Sequence, residues 1–354
     1  MTASAVEASI ESTEPAAPPR RTRLWWVVRI ALVVAALAAL TWLVGAGDLA
    51  AAPALVRHVG WPVLLVLLPT AVAMGLDAAA WGTILRSLGH QVRWRAILGV
   101  RLAAESLVLA MPGGAVAGEA AKLALLRRRA GVPLSAGTAS LALTKACLFA
   151  AEAVYLLGAA ALFLGSGHLR PLAPLVIAVA AGIGVAAAAM VLFLVLRDPS
   201  WASRFGAWLR RIPSRRLRAW IEARRSGLEA LDRSAAGFFA APLGSRLRCV
   251  ALLLLEWLVE GAETWLIFRL LGVPIGLAGA IVIDAIGSLV RALAFFVPAG
   301  LGVQDVTQVA LLKTMGVADA GTAGAAYIVI KRTKEVFWVF AGSRFLVGKR
   351  ERER

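Results

Sequence analysis

Glu256, Glu260 and Glu263 recur at i, i+4 and i+7 in a stretch otherwise rich in Leu, Val and Trp. That spacing places three carboxylates on one face of a helix. Asp77, Arg101, Glu105, Glu119, Lys122, Lys145, Glu152, Asp284, Arg291, Asp305 and Lys331 also stand within or beside apolar sequence. An ionisable side chain at the centre of a membrane helix costs roughly 2.5–3.5 kcal/mol on insertion scales. Both signs of charge are present, so internal pairing is expected. Arg101 and Glu105 are four apart and pair along their helix; Lys145 and Glu152 are seven apart and share a face. The acidic stripe either lines a polar cavity or faces Lys145 and Lys331. Such groups bind a charged ligand, move a proton, or hold helices together. They do not form a nucleophilic or metal site: His58, His90 and His168 stand singly, and Cys147 and Cys249 are far apart in sequence. Neither a nucleotide-binding loop nor a metal-ligand cluster is found. The expectation is a protein without catalytic residues, metal or cofactor.

Two breaks in apolar sequence sit beside these charges. One reads Met111-Pro112-Gly113-Gly114-Ala115-Val116-Ala117-Gly118-Glu119, followed by Lys122. The other reads Val297-Pro298-Ala299-Gly300-Leu301-Gly302-Val303-Gln304-Asp305. Proline and glycine interrupt a helix and let backbone come close to a ligand. The half-helix that resumes after each break turns its free N–H groups inward, which favours an anion such as a phosphate headgroup. Glu119 and Asp305 occupy those first turns, either as caps or as receivers of a cation or a proton.

The elements that must carry these residues are membrane helices. The chain has 354 residues, 60% of them hydrophobic, and a mean hydropathy of +0.78. Soluble domains are nearer 45–50% apolar. Six segments have the length to span, at about 24–46, 60–86, 134–164, 171–196, 246–271 and 320–347. The interrupted regions 94–128 and 276–315 do not fit a single span. The formal charge of +17 is concentrated between apolar segments: Arg86, Arg93 and Arg95, then Arg127 to Arg129, then twelve Arg against four acids over 197–248. These stretches and the C-terminal tail 348–354 are expected in the cytoplasm. The tail 1–23, rich in Ala, Glu, Ser and Pro, reads as disordered and cytoplasmic. The charge-poor stretches 47–59, 165–170 and 272–275 are expected outside. Region 94–128 then enters and leaves on the cytoplasmic face, and 276–315 on the outer face, each as a re-entrant hairpin. Within the basic connection 197–245, Leu217, Ile221, Leu228 and Leu231 recur at helical spacing, as in a helix on the inner membrane surface that meets anionic lipid headgroups. The basic charge is a topology signal, and nucleic acid is not an expected partner.

At an offset of 186 positions, the separation of Glu119 from Asp305, the chain resembles itself. Asp77 meets Glu263, Gly75 meets Gly261, Pro112 meets Pro298, Gly114 meets Gly300 and Lys145 meets Lys331. Three crossings separate the starts of the units 60–164 and 246–347, so the second is inverted relative to the first. Inverted repeats with broken helices meeting near the midplane are a recurring transporter plan. The predicted fold is an all-α polytopic membrane protein of about six spanning helices plus two re-entrant hairpins, in one transmembrane domain over 24–347.

The tips Pro112-Gly113-Gly114 with Gly118-Glu119, and Pro298 to Asp305 with its Gly300, Gly302 and Gln304, resemble the flippase-like membrane domain of the lysylphosphatidylglycerol synthases. Free-standing relatives of that domain, including those associated with hopanoid biosynthesis, look closer still. The resemblance covers most of 24–347 and implies lipid translocation in a bacterial cytoplasmic membrane. The family often has Glu where Asp305 stands and Arg where Lys122 stands, which alters reach while keeping charge. Nothing corresponds to the aminoacyl transferase domain of the synthases, so lysine transfer is not expected of this chain alone. The expected activity is a flippase for a polar or anionic lipid. Glu119, Lys122, Lys145, Asp305, Gln304, Lys331, Arg101, Glu105, Arg291, Asp77, Glu263 and Glu260 are its candidate site residues. The alternatives are a membrane-embedded lipid-modifying enzyme and a non-transporting scaffold of a lipid-synthesis complex; self-association is left open.

Overall fold

A computed structural model describes residues 46–110, 114–165, 173–195, 200–209, 222, 225–293 and 302–346. The predicted tails 1–23 and 348–354 and the anchor helix 24–46, apart from its last residue, lie outside the described residues. So do most of the basic stretch 210–224 and, at the hairpin tips, Pro112, Gly113, Pro298 and Gly300.

Twelve α-helices account for nearly all of the described chain, and no strand occurs among the described residues. In order they are α1 (Ala46–Val59), α2 (Leu67–Ser87), α3 (Trp94–Ala110), α4 (Gly114–Ala130), α5 (Leu134–Gly165), α6 (Ala173–Val195), α7 (Trp201–Leu209), α8 (Arg225–Ala240), α9 (Leu243–Leu270), α10 (Leu277–Leu293), α11 (Val303–Thr314) and α12 (Ala320–Ser343). A short 3-10 helix, Trp61–Val66, leads into α2, with a proline in its first turn. Two continuous helices, Trp61–Ser87 and Leu134–Gly165, are long and apolar enough by themselves to cross a membrane. Two further long helices, α9 and α12, carry several of the interior's charged residues.

The helix ends follow from backbone chemistry. α2 stops where Gly89 takes φ 85° and His90 N–H reaches back to the Leu85 carbonyl at 2.9 Å. α9 stops in the same way, with Gly272 at φ 72° and Val273 N–H on the Phe268 carbonyl at 2.9 Å. Only glycine takes this left-handed position without strain, and the back-reaching bond satisfies an end carbonyl. Between α8 and α9 the cause is Pro242, which lacks the N–H that would continue the helix. There the chain turns through 97°. α8 therefore runs across the axis of α9, and it carries Leu228 and Leu231.

α1 was not foreseen as a helix. The stretch 47–59, poor in positive charge, reads as an outer connection between spans. The structure makes it helical, with Pro53 inside it, and lays it against α12. Packing against that neighbour outweighs the propensity penalty of the proline.

Two runs of four helices share one packing scheme. In α2–α5, the first helix touches the second, the second the third, the third the fourth, and the first the fourth. In α9–α12 the same four pairings recur. Contacts between the runs are reciprocal: α2 lies along α9, α5 packs on α10, and α12 packs on α3. Small residues make these approaches possible. A β-carbon on Gly118 of α4 would sit 3.1 Å from the Ala104 carbonyl of α3. The outer surface is apolar, with Leu64, Leu68, Val72, Ile177, Val185, Leu192, Val336 and Phe340 all exposed. An apolar exterior round a charged interior is how a helix bundle is built for lipid surroundings.

Candidate functional site

The charges of the interior form two groups. In the first, α2, α3, α4, α5 and α9 each contribute. Arg101 on α3 is the hub: its Nε donates to Asp77 on α2, and its Nη1 donates to Glu105 one turn along. Beside this triad, Glu119 on α4 accepts from two ammonium groups through the same oxygen, Oε1. Lys122 Nζ lies at 3.1 Å and Lys145 Nζ, on α5, at 2.9 Å. Lys122 is three residues from Glu119, so one turn of α4 makes the first contact, while the α4–α5 packing makes the second.

A cavity of about 60 Å³ opens among these groups. Asp77, Arg101, Lys122, Thr144, Lys145 and Glu256 give it polar walls, with Trp81, Leu141 and Leu148. Trp81 is held by donating its Nε1–H to Ser140 Oγ at 3.0 Å. Glu256 is buried, and its Oε2 has no hydrogen-bond partner among the described residues. This space takes only a few waters. A lipid headgroup enters it only if the helices part.

Lys145 belongs to a second space as well. A groove of about 390 Å³ between α5 and α6 is lined by Ala142, Leu143, Ala146, Phe149, Met190 and Phe193, with Lys145 at its margin. The lysine side chain is 54% exposed, so its ammonium group stands where the polar cavity meets an apolar groove. A further apolar cavity, about 470 Å³, lies between α5, α6, α10 and α11. Leu156, Phe163, Ile183 and Leu289 are among its walls.

The second group lies between α9, α10, α11 and α12. Glu263 accepts from Lys334 Nζ of α12 and from Thr70 Oγ1 of α2, the latter at 2.6 Å. Asp305 receives both its oxygens' bonds from Arg332 Nη2, at 2.8 and 2.9 Å, while Arg332 Nη1 donates to Glu335 at 2.7 Å. Gly302 N–H also donates to Asp305 Oδ2 at 3.1 Å, so this carboxylate closes the first turn of α11. Gln304 is buried beside Gly287 of α10. Arg291 lies within electrostatic reach of Glu152 and Glu260. Gly114 and Gly118 line the close approach of α4 to α3.

Asp77, Arg101, Lys122 and Lys145, each a candidate by sequence, are thus brought together around one cavity, and the candidates Glu105 and Glu119 are tied to it by their ion pairs with Arg101, Lys122 and Lys145. The acidic stripe is divided: Glu256 faces that cavity, while Glu263 takes Lys334 as its cation. Lys331 pairs with no carboxylate among the described residues and donates to Tyr327 OH at 3.4 Å. Arg332, Lys334, Glu335, Thr70, Tyr155, Thr264, Tyr327 and Gln308 were not foreseen. One signal for them is present, since Tyr327, Lys331 and Lys334 fall at i, i+4 and i+7 on one face of α12. Among the described residues no group of three His, Cys, Asp or Glu is placed to hold a metal ion.

An all-α bundle with an apolar exterior and paired charges inside is a multi-pass membrane protein. Residues 26–342 match the model of the lysylphosphatidylglycerol synthase TM region, and the chain belongs to that family. No curated protein matches the chain. Membership places it in a membrane, in a lipid-related role.

Proposed function

We propose that this protein is a flippase, moving a polar or anionic lipid across the bacterial cytoplasmic membrane, with both termini cytoplasmic. The observation that carries the proposal is the position of Lys145. Its ammonium group joins a polar, charge-lined cavity to an apolar groove open at the α5/α6 face, the two environments that the head and the tails of one lipid need. The headgroup is received by Lys145 and Lys122 in place of Glu119, while the tails stay in the groove and the bilayer. On this reading the protein transports and does not catalyse. The basic connection 197–245 rests on anionic headgroups.

The reciprocal pairings of α2–α5 with α9–α12 support an inverted repeat whose halves rock about their shared contact. α11 has 12 residues. At 1.5 Å per residue it covers about 18 Å, short of the roughly 30 Å hydrocarbon core. That length favours a re-entrant hairpin over a pair of spans.

The test is translocation of fluorescent phosphatidylglycerol in proteoliposomes, read with a quencher confined to the outside. Wild-type protein should expose inner-leaflet probe to the quencher. Lys145→Met and Glu119→Gln should each slow that exposure by at least about tenfold, a barrier change near 1.4 kcal/mol. Lys145 is half-exposed, so its variant should accumulate normally. Wild-type rates in both variants would remove this site from the mechanism. A scaffold would show no translocation across a panel of anionic and glycosylated lipids.

A further inference from the structure

Asp284 of α10 is the buried carboxylate that the ion pairs leave out. It is 5% exposed, and no ion pair among the described residues includes it. Its partners are neutral hydroxyls. Tyr155 OH of α5 donates to Oδ2 at 3.0 Å, and Thr264 Oγ1 of α9 lies 3.4 Å from Oδ1. Thr264 Oγ1 is also 3.1 Å from Tyr327 OH, and Tyr327 OH accepts from Lys331 Nζ at 3.4 Å. Read in one direction, each group donates to the next: Lys331, Tyr327, Thr264, Asp284. Tyr327 is fixed by stacking on Phe268 at 4.8 Å, and Tyr155 by stacking on Trp257 at 5.5 Å. Gln308 Nε2 lies 3.4 Å from Tyr327 OH, and its Oε1 is buried with no hydrogen-bond partner among the described residues. An acceptor is therefore left over beside the chain of hydroxyls, able to receive a water that carries a proton inward.

We propose that Asp284 is a proton-binding site served by the relay Lys331–Tyr327–Thr264. The Lys331 ammonium passes a proton to the Tyr327 oxygen, Tyr327 passes its own to Thr264 Oγ1, and Thr264 passes its own to Asp284 Oδ1. Each transfer breaks one bond to hydrogen and makes another. A separated charge pair, Lys331 positive and Asp284 negative, becomes a neutral amine and a neutral acid. Lys331 then takes a proton from a hydronium ion of the acidified solvent, leaving water, and the site has gained one proton. Glu260 on α9 and Lys331 on α12 are the charged groups within electrostatic reach of Asp284; Arg291, on the helix of Asp284, is within reach of both of them, and Glu263 and Lys334 are within reach of Glu260. α5 presents Tyr155, and Glu152 a turn away. α11 presents the neutral Gln308, with Asp305 one turn away in the grip of Arg332.

The consequence lies in Tyr155. Its bond to Asp284 ties α5 to α10, one of the contacts between the two four-helix runs. Hydrogen bonds to a charged carboxylate are about twice as strong as neutral ones. A proton on Asp284 loosens that tie and frees the runs to move. This purpose rests on the transport reading; the binding of the proton does not.

The binding is tested without any lipid substrate. Full-length protein in nanodiscs is taken from mildly alkaline to acidic buffer while infrared difference spectra are recorded in H2O and D2O. A protonated-carboxyl C=O band that shifts in D2O should appear in wild type, and its Asp284 component should be missing from the Asp284→Asn spectrum, which keeps the contribution of the other carboxyl groups. Tyr327→Phe keeps the carboxyl but removes a relay hydroxyl, so the band should return at least about tenfold more slowly after a rapid pH step, near 1.4 kcal/mol of barrier. Retention of the full band in Asp284→Asn, with the variant's thermal unfolding unchanged, overturns the proposal. So does an absent band in wild type, or an unslowed band in Tyr327→Phe. A second arm imposes a pH gradient on the proteoliposomes. Translocation should respond in wild type and not in Asp284→Asn. No translocation in wild type under any condition would count against the flippase reading alone, because the infrared result stands by itself.

Discussion

Arg101→Ala should be the most damaging single substitution in the first charge group, costing roughly 3–5 kcal/mol of stability, the usual loss when one partner of a buried ion pair is removed. Arg101 is the cation for two carboxylates on two helices, Asp77 of α2 and Glu105 of its own α3. Its side chain is 17% exposed, and theirs are 14% and 21%, so water does little to screen the orphaned charges. Two carboxylates left facing one another in the bundle repel, and Glu256 lines the same cavity. Arg101→Lys should recover part of the loss only, because a lysine is a point charge and lacks the planar fork that serves two acceptors at once. The triple variant Arg101→Met/Asp77→Asn/Glu105→Gln should recover most of it, since a neutral group of similar volume leaves no charge to solvate. The measurement is thermal unfolding of the detergent-solubilised protein followed by size-exclusion chromatography. If Arg101→Ala unfolds at the wild-type temperature, the triad is not a structural unit.

Much of this arrangement was legible from residue order, and the reasons are physical. The regions 94–128 and 276–315 are each an apolar run cut by Pro and Gly. The structure has α3 and α4 in the first, and α10 and α11 in the second. The long runs opening at Leu134 and near Ala320 became α5 and α12, because a break rich in charge or glycine precedes each. What could not be read was the rotation of a helix about its axis within a run of like charges. Lys331 and Arg332 are adjacent, and one residue turns the helix by about 100°. The repeat offset makes Lys331 the counterpart of Lys145, and both are expected in the site or opposite the acidic stripe. In the structure Arg332 meets the hairpin carboxylate Asp305, and Lys331 points to Tyr327. The hydroxyl groups of Tyr155, Thr264 and Tyr327 were invisible for a different reason. A lone Tyr or Thr in an apolar helix carries no charge whose cost demands explanation, and only three-dimensional proximity gives it a partner.

The crossing of α12 on α3 yields the second large effect. A β-carbon added to Gly342 would collide with the Leu102 carbonyl oxygen and lie 3.1 Å from Ser106 Cβ. The nearest obstacle is backbone of the facing helix, so no rotamer change relieves it. Gly342→Ala should cost about 1–3 kcal/mol, as overpacking does, and Gly342→Val more. Adding Ser106→Gly should not restore stability, because trimming a side chain does not move the carbonyl. Gly158 of α5 is the control: nothing lies within 4 Å of where its β-carbon would be. There the substitution only removes the backbone freedom of glycine, so Gly158→Ala should be neutral or gain up to about 1 kcal/mol. Opposite shifts in unfolding temperature for Gly342→Ala and Gly158→Ala, measured in the same detergent, would establish that α12 and α3 meet through their backbones. Equal shifts would separate those helices, and with them one of the reciprocal contacts on which a rocking motion of the two four-helix runs depends.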